Sequence, residues 1–346
     1  MKPSMTNRIA SKTMRRILVT TIVLTICAWP SMLHANSLSS DVLSMFPKDV
    51  GEFAYADLRA ARAFSWFPQL KEQMLPARFR QFETFLASAG IDPNSQVEEL
   101  AWALVPSAMP ANSLAAKNAV PQSDEVVGVA LGAFQPDTAE AYFKAQKLPV
   151  VKVRNYSLYG FGSGSGPGDL FFLFLDSNTA AFGQRQELEH LIAVRYGEEQ
   201  GILSNEDLYP LITSANGSGI VWAVLSAPYT RLAMQQLAPE TTQFPAAQQL
   251  VSGLRAMTIQ IVSSGGIEAH FEAVCASPDA ANTFAALLSA GLMYQRYQIA
   301  NSNPDLATLL DSATILPSGD RLDVRLKLTD DQVMGLIRRN TFAITL

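Results

Sequence analysis

Cysteine is almost missing from this chain: Cys27 and Cys275 are the only two in 346 residues. Cys27 lies in an N-terminal apolar stretch, so the rest of the chain cannot close an intrachain disulfide. Histidine is nearly as scarce, with only His190 and His270 beyond the first 35 residues. That leaves too few nitrogen and sulfur ligands for an ordinary structural zinc site. No Lys/Arg-rich run follows the N-terminal segment. Without those first 35 residues the balance is 21 basic to 31 acidic, a net charge of −10. A net acidic surface repels phosphate backbones, which excludes nucleic acid as a partner and disfavours unassisted binding to anionic lipid. Long hydrophobic runs are also missing: no stretch after the leader approaches eighteen consecutive apolar residues, so no later transmembrane span is expected.

What the chain does have begins at its N-terminus. Lys2, Arg8, Lys12, Arg15 and Arg16 precede the apolar run Ile17–Ala28, and no acidic residue occurs before Asp41. Trp29 and Pro30 break the run, and a short segment leads to Ala35. This is the pattern of a secretory signal peptide over residues 1–35, cut after Ala35. The alternative is an uncleaved anchor. Twelve helical residues rise only about 18 Å against a hydrocarbon core of about 30 Å, which favours cleavage. A lipid anchor at Cys27 would need a small residue before it, and Ile26 stands there. The chain therefore reads as exported, to periplasm, cell envelope or medium.

Strand and helix patterns alternate through the remainder. Strands are predicted at Phe53–Leu58, Glu99–Val105 and Val126–Phe134. Residues 150–162 and 169–176 should form a hairpin around a glycine-rich turn. Leu170–Leu175 is apolar throughout and should be covered on both faces. Further strands are expected at 219–226, 257–262, 267–275 and 321–328. Helical material is expected over 60–89, from Pro136, and over Gln186–Tyr196 with Leu188, Leu191 and Ile192 inward. Later helices are read at Tyr229–Leu237, Ala246–Arg255, from Pro278 and over Asp331–Arg338. Residues 106–125, with three prolines, read as a flexible insertion. The fold class is α+β, with mixed α/β the alternative, in two related halves, 36–205 and 206–346, with mostly antiparallel sheets.

The halves look like one unit used twice. Pro136 and Pro278 each follow a strand and suit the first helical position, with Asp137 and Asp279 facing the positive end of the dipole. Thr179–Ile192 aligns without gaps on Val324–Ile337, so Leu188 meets Val333. The segment "DLFFLFLDSNTAAFGQRQELEHLIAVRYGEEQGILSNEDLYPLI" resembles the half-to-half junction of two-repeat secreted bacterial proteins classed as domains of unknown function. That resemblance implies the tandem fold, but no reaction and no site residue.

No catalytic motif stands out. The loop "GFGSGSGPGD", residues 160–169, lacks the G-x-G-x-x-G spacing and precedes a strand, so it reads as a hairpin tip rather than a phosphate cradle. Its "GSGSG" puts Gly164 at the centre, where a nucleophile elbow needs serine. Glu268, His270 and Glu272 share one strand face and are the nearest approach to a metal site. Three such side chains span about 13 Å, so the solvated face of a half-buried strand is the plainer reading. Glu187, Glu189 and His190 open a helix, where carboxylates are ordinary dipole partners. Cys275 should be a buried structural thiol. Phe64, Trp66, Phe67, Phe79, Phe82 and Phe85 would form core or line an apolar groove. No cofactor and no metal are expected. The chain reads as an exported, non-catalytic envelope or secreted protein binding an unknown protein or an apolar small molecule. The alternatives are a periplasmic carrier or chaperone for apolar molecules and an exported hydrolase.

Overall fold

Phe53 and Tyr55 alternate inward on a six-residue strand, and the sheet is built outward from there on both sides. The computed structural model describes residues 36–339 apart from 76, 107–123, 165, 167, 238–244, 264–265 and 301–303. The expected signal peptide and most of the expected insertion lie outside the described residues. Residues Ala35–Leu346 group as one unit. The strands are β1 (Glu52–Asp57), β2 (Val97–Pro106), β3 (Asp124–Gly132), β4 (Val150–Val153), β5 (Tyr156–Phe161), β6 (Leu170–Phe174), β7 (Thr179–Gln184), β8 (Val221–Ser226), β9 (Ala256–Ser263), β10 (Ile267–Val274), β11 (Thr314–Ser318) and β12 (Arg321–Leu328). They form one twelve-stranded sheet in the order β11-β12-β10-β9-β8-β1-β2-β3-β7-β6-β5-β4. Every pairing is antiparallel. Helices lie between strands and pack on the sheet, so the fold is α+β.

Directly opposed residues of an antiparallel ladder share a face. On one face Phe53, Tyr55, Ala101, Ala103, Val127, Val129, Leu173, Ala181, Trp222 and Val224 form a dry core. The helix Arg185–Arg195 covers it with Leu188, Leu191 and Ile192, as their spacing predicts. The opposite face carries Ala130, Leu170, Phe172 and Ala180, covered by Phe82 and Leu86 of helix Ala77–Ser88 and by Ala139 and Phe143 of helix Pro136–Ala145. Strand β6 contributes to both cores, which is why its residues are apolar at every position.

The two sides of the sheet share an element order. Each central strand has six residues, and the third residues, Ala54 and Ala223, lie opposite each other. Counted outward from that pair, the sheet runs β1-β2-β3-β7-β6 on one side and β8-β9-β10-β12-β11 on the other. Pro136 and Pro278 open the helices after β3 and β10. The gapless alignment of Thr179–Ile192 fails in its strand part. Phe182 occupies the row position of Val324, opposite Gly128 and Phe271 respectively, whereas the gapless match gives it Lys327. The helix after β12 begins three residues later than that alignment of rows implies. Leu188 and Val333 do occupy the same helical position, but their helices cover different faces. Val333 and Ile337 join Trp66, Ile261 and Ile267 on the second face.

Other sequence expectations shift in detail. Residues 150–161 are two paired strands, not one, turned at Arg154, whose φ is 54°. The ends of the expected insertion are ordered: Pro106 pairs with Asp124 across β2 and β3.

Gly51 precedes β1 because nothing larger fits. A Cβ there would lie 1.9 Å from Cε2 of Tyr229, whose ring is buried and whose hydroxyl donates to Asp124. Gly51→Ala is expected to destabilise the protein by about 1–3 kcal/mol through overpacking. A thermal or urea melt checks this. Combined with Tyr229→Ala, the two changes should cost less than the single effects added together, because the collision is then gone.

Candidate functional site

The sequence candidates scatter. The aromatics of residues 60–90 do not line one groove. Phe79, Phe82 and Phe85 pack with Phe143, Phe161, Phe172 and Phe182, while Phe64, Trp66 and Phe67 belong to the separate cluster at Val333 and Ile337. Helical spacing collected them, and the sheet separates them. Cys275 is buried beside Leu254 and Phe284, and burial, with Asp320 adding to it, pushes its thiol pKa up.

Glu268, His270 and Glu272 share a face of β10, opposite Lys327, Arg325 and Asp323 of β12. That face is the continuation of the dry core. It is only partly wet, because Glu268 is 8% exposed. His270 Nε2 lies 2.8 Å from Glu268 Oε1, and Lys327 Nζ lies 3.6 Å from Glu268 Oε2. Glu272 pairs instead with Arg321. Among the described residues no group of three or more His, Cys, Asp or Glu side chains is arranged to hold a metal ion. His270→Ala, expected from the sequence to cost no more than about 1 kcal/mol, should cost about 1–2 kcal/mol once its contact with a buried carboxylate is counted. A urea melt checks this.

Two other candidates come together. The glycine-rich loop between β5 and β6 and the helix Arg185–Arg195 flank a cavity of about 730 Å³. Gly166, Asp169 and Phe171 line it from the loop side, Gln186, Glu189, His190 and Ala193 from the helix, and Glu125 and Glu199 close it. The loop's anion is its own Asp169. Its carboxylate accepts from Ser163 Oγ at 2.7 Å and from Gly166 N at 3.0 Å. Gly162, at φ 119°, lies so near that an added Cβ would meet Asp169 Oδ1 at 2.5 Å. The loop therefore shapes a wall and does not cradle phosphate.

The helix end brings in Glu199. Gly197 has φ 73°, and Glu198 N reaches back to Ala193 O while Gly197 N reaches Val194 O. This left-handed stop reverses the chain. Glu199 Oε2 then lies 2.8 Å from His190 Nδ1. On the helix itself, Arg185 Nε donates to Glu189 Oε1 at 2.7 Å. The wall thus holds four carboxylates, Glu125, Asp169, Glu189 and Glu199, against one guanidinium and one imidazole.

Glu187 stands behind this wall. It is 5% exposed, and its carboxyl shares a hydrogen bond with that of Glu125. Burial pushes its pKa from 4.5 up to about 7; His190 opposes the rise, and Glu125 and Glu199 add to it. A second carboxyl, Glu52, also rises to about 7, chiefly by burial and then by Asp124, while Trp102 donates to it. Asp124 and Glu125 are adjacent on β3 and serve opposite faces of the sheet. Both fall within the stretch read from sequence as a flexible insertion, so that reading hid them.

No protein-family model and no curated protein matches the chain. Among solved structures it is similar to TP0453 in crystal forms I, III and IV, at 10% identity each. The TM-scores are 0.46, 0.49 and 0.48, over 89%, 87% and 86% of this chain and 100%, 99% and 97% of those chains.

Proposed function

We propose that this chain is an exported, non-catalytic envelope or secreted protein, built from a duplicated strand–helix unit, that binds a ligand in the cavity between the glycine-rich loop and helix Arg185–Arg195. The carrying observation is that cavity: about 730 Å³, walled largely by charged and polar side chains. Its volume is in the range of small-molecule sites. The carrier of apolar molecules draws no support from it, because its wall is polar. Mass spectrometry of small molecules co-purifying with the native mature protein tests the reading. A compound retained by the wild type and lost from Ala193→Trp, whose indole would project into the cavity, supports it. Equal retention by both overturns it. Export draws on the N-terminal pattern, and an intact mass beginning at Asn36 in the envelope fraction is the expected result.

An exported hydrolase is the second reading, favoured by the raised pKa of Glu187, which suits a general acid near neutral pH. Against it, Glu187 does not itself line the cavity. A buried acid behind the wall has no direct path to a substrate atom. A protein partner remains part of the first reading. Helix Pro278–Ile299 is buried only at Ala281, Phe284 and Ala285, and exposes Met293, Tyr294 and Tyr297. Such a surface suits contact with another molecule. Among the described residues no helix is long and apolar enough to cross a membrane.

A further inference from the structure

We infer that removal of the leader completes the fold: the α-ammonium created at Asn36 becomes the counter-ion of two acids, Asp57 and Glu99, at the edge of the dry core. The inference rests on cleavage after Ala35 and states what that cut does to the folded protein. Asp57 and Glu99 lie directly opposite each other on β1 and β2, and Asp57 is 2% exposed. Like charges so placed repel, and burial raises the cost. Among the described residues neither acid forms an ion pair with a side chain. Their other donors are neutral: Asp57 Oδ1 accepts from Ala60 N at 2.8 Å, and Glu99 Oε2 accepts from the Tyr55 hydroxyl at 3.0 Å. The second oxygen of each acid meets Asn36. Asn36 N donates to Asp57 Oδ2 at 3.3 Å, and Asn36 Nδ2 donates to Glu99 Oε1 at 3.2 Å. The chain is also held at this spot. Leu38 N donates to Asn216 Oδ1 at 2.8 Å, Leu38 O accepts from Asn216 Nδ2 at 2.9 Å, and the Leu38 side chain is buried in the dry core.

With the leader attached, the Asn36 nitrogen is a neutral amide with one N–H. Hydrolysis of the Ala35–Asn36 bond puts the hydroxyl of water on Ala35 and its hydrogen on the Asn36 nitrogen. The amine then takes up the proton that the new Ala35 carboxyl releases. A cation with three donors now stands where one neutral donor stood. Charge-assisted hydrogen bonds are roughly twice as strong as neutral ones. Asp57 is buried in either form, so its desolvation adds no new cost to the pairing. The charged groups around Tyr55 are Glu99, Asp57 and, opposing them, Arg59, whose guanidinium pairs with Glu98. The two acids should hold the amine's proton beyond its ordinary range of about 7.7–8.0. The stabilisation is therefore full below that range and is lost as pH rises through the raised value. The Tyr55 phenol, pushed up by burial and then by Glu99, stays neutral throughout. This ion pair forms only once the leader is gone, so the precursor lacks it.

Thermal melts of chains with defined N-termini test this. One chain begins at Asn36, and a second retains residues 31–35 ahead of it. Each is also made with Asp57→Asn, which keeps an acceptor for Ala60 N but loses the charge, and with Glu99→Gln. At pH 6.5 the chain beginning at Asn36 should melt about 3–6 °C above the extended one. Asp57→Asn should remove most of that gap, Glu99→Gln should narrow it, and raising the pH to about 10 should close it in the unsubstituted pair. Equal melting of the two unsubstituted chains at pH 6.5 overturns the inference. So does a gap that both substitutions leave unchanged, or one that persists at alkaline pH, since crowding by the extra residues would then be its cause. The intact mass of the native protein judges the cut itself, independently of the melts: a mature chain that begins elsewhere overturns cleavage after Ala35.

Discussion

Trp222→Ala should be among the most damaging single substitutions in this protein, costing about 3–5 kcal/mol, the range for removing a buried aromatic side chain. Trp222 is fully buried on β8, with its ring centroid 5.6 Å from Phe53 and 5.7 Å from Tyr55. Phe46 packs edge-on to Phe53 at 4.8 Å, so the loss would open a void shared by several rings. The site cannot collapse easily, because Tyr55 sits directly opposite Trp222 on the ladder, and its hydroxyl is tied to Glu99 at 3.0 Å. Trp222→Phe should cost far less, about 1–2 kcal/mol. The indole Nε1 has no hydrogen-bond acceptor among the described residues, so phenylalanine removes a buried unsatisfied donor along with the lost volume. Urea unfolding followed by circular dichroism compares the two. If phenylalanine costs as much as alanine, the indole N–H is contributing a bond and the account of this core is wrong.

Elements with strong local periodicity were legible in the sequence, and elements made of small residues were not. Leu188, Leu191 and Ile192 announce their helix, and Arg321–Leu328 reads as a strand at its observed limits. Strand β7 escapes notice because its sequence is TAAFGQ. Its small residues serve packing: a Cβ on Gly183 would lie 2.3 Å from Val126 O. The hairpin at β4 and β5 turns on Arg154 and carries no glycine to mark it. Strand β11 and the helix Pro304–Asp311 were likewise not read.

The cavity was half legible. The loop at 160–169 and the trio Glu187, Glu189 and His190 drew attention for separate reasons, and only the sheet shows that they face each other. Glu125 arrives from a strand two places along the sheet from β6, and Glu199 from a glycine-stopped helix end. Such meetings depend on strand order, which a local pattern does not contain. The alternation of Glu268, His270 and Glu272 marked a shared strand face, and only the sheet shows that the neighbouring strand supplies Lys327 to Glu268 and Arg321 to Glu272.

Replacing Glu187 by glutamine should stabilise the protein at alkaline pH and leave it unchanged in acid. Its carboxyl pKa is raised from 4.5 to about 7 in the folded protein, with burial the largest cause. Between those values the folded chain keeps a proton that the unfolded chain has lost. Stability contributed by this group is therefore full below about pH 4.5, falls as pH rises towards 7, and levels off above. At about 1.4 kcal/mol per pH unit, the wild type gives up about 3 kcal/mol at this one position. Glutamine mimics the protonated carboxyl and never ionises, so Glu187→Gln should gain about 1–3 kcal/mol over wild type at pH 8 and nothing at pH 4. Glu52→Gln should behave alike, since Glu52 is also raised from 4.5 to about 7, by burial and by Asp124. Urea melts of wild type and both variants at pH 4, 6 and 8 measure the differences. A gain that does not grow with pH would show that the wall relaxes to hydrate the carboxylate.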